Sequence, residues 1–178
     1  MKAIKLLIGA LFIATSISAQ SNYAKDPESC TSIMVGKKAT TDGSVITSHT
    51  CDSWYRTWVD MVPAQKYERD TTMAIYDGRM HTEFVSDQTK MTVKGEIPQA
   101  KQTYAFMDTS YPCMNEKQLG IGETTITGKK ELVNKNGMFM IEELQRVVLQ
   151  RCTTAREAIL LMGELIKKYG YADSGECL

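Results

Sequence analysis

Charge of one sign is missing from this sequence. Its 178 residues carry 21 Lys+Arg against 21 Asp+Glu, so the formal net charge is zero. No basic cluster with interleaved aromatics breaks that balance, and no field favours nucleic acid or an anionic membrane. Long apolar runs are missing too. The run from Leu6 to Ala14 is too short to cross a bilayer as a helix, so no membrane span is expected. Histidine is scarce: only His49 and His81 are present, and His81 stands alone with no metal-ligand spacing to other candidates. There is no zinc motif, no phosphate-binding glycine loop and no Ser nucleophile elbow. Internal repeats and low-complexity tracts are absent as well.

What is present begins with an export signal. Lys2 and Lys5 precede the short apolar run, and Thr15-Ser16-Ile17-Ser18-Ala19 ends it with small residues. That is the pattern of a secretory signal peptide spanning residues 1–19, cut after Ala19, and it predicts a periplasmic or extracellular protein. Residues 20–29 are polar, carry no periodicity and include Lys25-Asp26-Pro27-Glu28; they read as an exposed leader or propeptide. The remainder is about one domain's worth of chain. Five cysteines in an exported protein is an odd number, which points to a free reactive thiol or an intermolecular pair. With Cys30 free, Cys51, Cys113, Cys152 and Cys177 allow two bridges; it is equally open that none of them pairs.

Periodicity changes along the chain. Thr31–Val35 and Ser44–Thr47 are β-rich, and Asp42-Gly43 between them signals a reversal, so a hairpin is expected. Further strands are predicted at Thr57–Val62, Met73–Tyr76, Met91–Val93 and Thr103–Met107. Another runs from Leu119-Gly120-Ile121-Gly122 into Thr124–Ile126, with glycines that allow close backbone approach. Ile141, Leu144, Val147, Val148 and Cys152 fall at helical spacing. Thr154-Ala155-Arg156-Glu157 is a capping-box signature opening a second helix. Ala158, Leu161, Met162, Leu165, Ile166 and Tyr169 form its apolar face, and Gly170 is its stop. Strands first and helices later indicate an α+β layered arrangement.

The chemistry centres on Cys30. A lipid anchor there fails on distance, because the apolar run ends well upstream and Asp26-Pro27-Glu28-Ser29 is not a lipoprotein signal. The stretch Cys30-Thr31-Ser32-Ile33-Met34-Val35-Gly36, continuing through Thr41-Asp42-Gly43-Ser44-Val45-Ile46, resembles the opening of the mature dipeptidase A and secernin family. Asn115–Thr125 and Tyr171–Leu178 agree with the same resemblance. That family belongs to the N-terminal-nucleophile cysteine hydrolases, beside penicillin V acylase and bile salt hydrolase. The resemblance implies an α/β/β/α sandwich, two antiparallel sheets between helix layers. Family members are several times longer, so residues 30–178 are expected to supply one part of it.

The resemblance also implies a reaction. Removal of everything before Cys30 leaves an α-amine and a thiol on one residue. An α-amine titrates near about 7.7–8.0 and a thiol near about 8.5, so the amine can take the thiol's proton close to neutral pH. The thiolate then attacks an amide carbonyl and an acyl-enzyme forms. Asp52 matches an Asp that touches the nucleophile's amine in the related acylases. His49 stands where those acylases have an Arg, and a mostly neutral ring cannot replace a bidentate permanent charge. Thr125, with its neighbour Glu123, falls near their oxyanion-stabilising Asn; lacking an amide side chain there, a backbone donor would serve. Asn115 reads as the start of a turn and His81 as a surface residue. No cofactor is expected, and the expected partner is a dipeptide or small amide substrate. An amidase on non-peptide amides and a catalytically dead binding fragment are the alternatives.

Overall fold

The computed structural model describes residues 29–126 and 128–178. The expected signal peptide, and the leader apart from Ser29, lie outside the described residues. Among those described, β1 (Ser29–Val35) and β2 (Ile46–Asp52) come first, then β3 (Asp60–Val62), β4 (Gln65–Lys66) and β5 (Thr72–Asp77). They are followed by β6 (Thr92–Pro98), β7 (Gln102–Thr103), β8 (Phe106–Asp108), β9 (Met114–Asn115) and β10 (Thr124–Ile126). Helices α1 (Ile141–Arg151) and α2 (Ala155–Tyr169) precede β11 (Gly175–Cys177). The ladders are β1–β2, β3–β8–β9, β4–β7, β5–β6 and β10–β11, and every pairing in them is antiparallel. The fold is therefore α+β with antiparallel sheets, as the change of period predicts.

The core forms where α1 meets the strands. Ile75, Ile97 and Phe106 pack with Phe139, Leu144, Val147, Val148 and Leu149, all essentially without exposure. Burying each such side chain stabilises the fold by about 1.5–3 kcal/mol. Helix α1 lies against β5, β7, β8 and β9 and also against α2, so it is covered on nearly every side. That position buries its polar residues too. Glu143 is satisfied by the Tyr76 amide and by Arg79, whereas Glu142 has neither oxygen hydrogen-bonded among the described residues.

Helix α2 starts and stops as its sequence dictates. The Thr154 hydroxyl accepts from the Glu157 amide at 3.3 Å, and the Glu157 carboxylate accepts from the Thr154 amide at 3.1 Å. This reciprocal pair satisfies donors that the first turn leaves free. Gly170 follows with φ 80°, and an added Cβ there would lie 3.0 Å from the Gly137 Cα, so glycine is required twice over. Asn115 is structural, as its turn reading implies. Its Nδ2 donates to the carbonyls of Leu149 and Cys152, while its Oδ1 accepts from the amides of Lys117 and Leu119. One side chain thereby ties a turn to the end of α1.

Three strand expectations shorten. Thr57–Val62 is a strand only at Asp60–Val62, because Trp58 leaves the ladder and its Nε1 donates to the Thr82 carbonyl. Thr103–Met107 breaks at Tyr104 and Ala105, where the Tyr104 amide turns to the Gln150 carbonyl of α1. Leu119–Gly122 is not a strand; apart from a single bridge between Gly120 and Met114, it runs irregularly into β10.

Candidate active site

The register of the β1–β2 hairpin sets Cys30 directly opposite Cys51 and Ser32 opposite His49. Side chains alternate along a strand, so these four and Thr47 share one face. The loop joining the strands is held by an Asx turn: the Ser44 amide donates to Asp42 Oδ1 at 3.0 Å, and Gly43 adopts φ 76°. The reversal signal at Asp42-Gly43 is real, although the connection is longer than a tight hairpin turn.

Residues 119–126 lie across that face. The hydroxyls of Ser32 and Thr124 are 2.5 Å apart. A Cβ added at Gly122 would stand 3.3 Å from His49 Nδ1, and one at Gly120 would stand 3.5 Å from Thr47 Cγ2. The glycines are there for close approach, as the sequence suggests. Their approach delivers Glu123, which is fully buried, to the two thiols. Cys51 Sγ donates to Glu123 Oε1 at 3.4 Å. The sulfurs of Cys30 and Cys51 and a carboxylate oxygen of Glu123 all lie within 4.8 Å of one another. All five cysteines are free thiols.

Acidic and phenolic groups gather behind this cluster. Glu176 stands opposite Thr125 on the β10–β11 ladder. Burial, and then its closeness to Glu123 and Asp173, push the Glu176 carboxyl up to about 9. Burial above all, with the charges of Glu143, Asp173 and Asp77 adding, pushes Glu142 up to about 8. Burial followed by the Asp173 charge raises the Tyr171 hydroxyl, which has no hydrogen-bond partner among the described residues. Burial and then the neighbouring Glu123 raise the Cys51 thiol, so it stays protonated at neutral pH and acts as a donor. Near pH 7 Glu142 and Glu176 are neutral acids.

These raised carboxyls have a consequence for stability. A carboxyl whose folded pKa exceeds its unfolded value binds more protons folded than unfolded, so it favours folding at low pH. The Glu142 contribution is full below about pH 4.5 and is lost as pH rises through about 8. The melting temperature of the intact protein is therefore expected to fall across that window. Glu142→Gln, which is neutral at every pH, is expected to flatten the fall. A fall left unchanged in Glu142→Gln would show that the Glu142 carboxyl is not its source.

Of the residues picked out from sequence, Cys30 and His49 come together on one face of the hairpin. Asp52 ends β2 opposite Ser29, and its side chain lies outside the described residues. Thr125 is exposed beside Glu176; the residue from this segment that reaches the thiols is Glu123. Two members of the cluster do not stand out in the sequence. Cys51 reads only as a bridge candidate, although β2 alternation puts it on the face of His49. Glu176 lies in the Tyr171–Leu178 stretch that carries the resemblance, yet nothing marks it singly until the β10–β11 pairing brings it in.

Comparison with known proteins finds a family and a relative. A family model described as peptidase family C69 matches residues 29–177. A protein described as a "probable dipeptidase" from Latilactobacillus sakei is 29% identical over 160 residues, covering 81% of this chain and 31% of the relative. The chain thus spans about a third of the length of that curated relative. No solved structure matches significantly.

Proposed function

The chain belongs to peptidase family C69, and on that premise we propose that it supplies the nucleophile end of an exported cysteine dipeptidase. The observation that carries the reading is the convergence on Cys30, at the start of β1, of a buried carboxylate delivered from a distant segment. In the proposed reaction Cys30 becomes residue one of the mature protein. Its α-amine takes the thiol proton, and the thiolate attacks the carbonyl carbon of a peptide bond. The amine product leaves with that proton, and water hydrolyses the thioester. Glu123 is the counter-charge to the ammonium formed during attack, and Asp52 orients the same group as the family resemblance implies. His49 in place of an arginine favours small peptides over the amides taken by the acylases. Cys51 has no role in these steps.

The leader is then an off-switch, because an amide nitrogen between Ser29 and Cys30 is no base. N-terminal sequencing of the active exported protein is expected to begin at Cys30, with dipeptide turnover confined to that form. Turnover in a form that retains residues 20–29 would sink the reading.

A further inference from the structure

We propose that Cys30 Sγ, Cys51 Sγ and the Glu123 carboxylate form a site for one zinc-class divalent cation, which reversibly holds the nucleophile inactive. Zinc bonds of about 2.0–2.3 Å put tetrahedral ligands roughly 3.3–3.8 Å apart. The three ligand atoms already lie within 4.8 Å of one another, so side-chain rotation of about an ångström closes the site. Glu123 is fully buried and supplies the cluster's carboxylate, its Oε1 accepting from Cys51 Sγ at 3.4 Å while the Glu176 carboxyl stands beside it as a proton donor.

The donor set selects the ion. Two thiolates and one carboxylate suit zinc or cobalt, whereas magnesium and calcium call for oxygen alone. The half-exposed Cys30 leaves a route in from solvent. Binding releases the two thiol protons, with no change of oxidation state. The fourth position rests on the maturation proposed above: a freed Cys30 offers its amine and thiol together as a five-membered chelate. The three side-chain ligands do not depend on that step. No spacing in the sequence shows this set, since residues 30, 51 and 123 meet only through the hairpin register and the Gly122 approach.

The test uses the intact processed protein, zinc ion in competition with a chromophoric chelator, and cobalt(II) as a spectroscopic probe. Expected are one zinc per chain, loss of dipeptide turnover on loading, and its return with a chelator. Cys51→Ser is expected to lose at least about 100-fold in zinc affinity, more than removal of an outer-shell partner costs, while keeping turnover that zinc no longer inhibits. Glu123→Gln is expected to weaken zinc binding as well. Cobalt loading should produce a thiolate charge-transfer band that Cys51→Ser diminishes. Should that variant fold poorly, the wild type still decides, because zinc should protect Cys30 and Cys51 together from alkylation while exposed Cys177 reacts. Zinc affinity unaffected by Cys51→Ser, or alkylation unaffected by zinc, would overturn the site. Recovery of a Cys30–Cys51 disulfide from protein isolated without reductant would overturn it too, by assigning the pair to oxidation. Cys51-dependent zinc binding in a protein with no peptide turnover would leave the site standing and reject the proposed function instead.

Discussion

Dipeptide turnover by a Cys30→Ala protein is expected to fall by on the order of 10⁴–10⁶-fold, the range seen when a nucleophile acting as one unit with its base is removed. Its melting temperature is expected to stay close to that of the parent. Cys30 is only half-buried, and β1 is held by its backbone ladder to β2 and by the Ser32–Thr124 contact. Truncation of such a side chain costs no more than about 0.5 kcal/mol when no buried partner is lost. The Cys51 thiol keeps its own acceptor, Glu123, after the change. A structural cysteine would give the opposite pattern, with lost stability and unchanged turnover per folded molecule. Cys30→Ser adds a second reading. The leader is expected to remain on that protein if cleavage is autocatalytic and to be removed normally if a separate protease does the work.

Local signals were legible where the backbone answers to its own neighbours. The Thr154–Glu157 capping box, the Gly170 stop and the helical period from Ile141 to Cys152 need only the chemistry of one turn, and each is found in place. The β1–β2 hairpin was legible for the same reason, and so was Asn115 as a turn residue. Strand limits failed where a side chain or amide answers to a distant group, as Trp58 does to Thr82 and Tyr104 to Gln150. The burial of Glu142, Glu143 and Gln145 was not legible, because a polar residue on a helix reads as solvated until a sheet and a second helix enclose it. The site divides along the same line. Cys30 and His49 lie on one hairpin and share a face by alternation. Glu123 and Glu176 join them through a loop and a ladder that no short-range pattern encodes.

The same enclosure makes Asp108→Ala the largest stability loss expected. Asp108 ends β8 and is buried, with Oδ1 accepting from Arg56 Nη2 at 2.8 Å and Oδ2 accepting from Arg146 Nη1. Arg56 is itself buried, stacks 3.9 Å over the Trp58 ring and donates to the Thr109 carbonyl. Burial already lowers its pKa against the raising effect of Asp108, so the carboxylate is what makes the cation tolerable there. Removing it strands two guanidinium groups, and breaking a buried pair in this way costs about 3–5 kcal/mol. Against a total margin of about 5–15 kcal/mol, that is about a fifth of the domain's stability or more. Denaturant midpoints of the intact protein measure it. Asp108→Asn, which keeps two acceptor lone pairs but no charge, should fall between parent and alanine. The triple change Arg56→Met, Asp108→Leu and Arg146→Leu should recover much of the loss, because it removes the stranded charges along with their partner. An alanine cost below about 1 kcal/mol would mean that the pair behaves as a solvated one and that water reaches these groups.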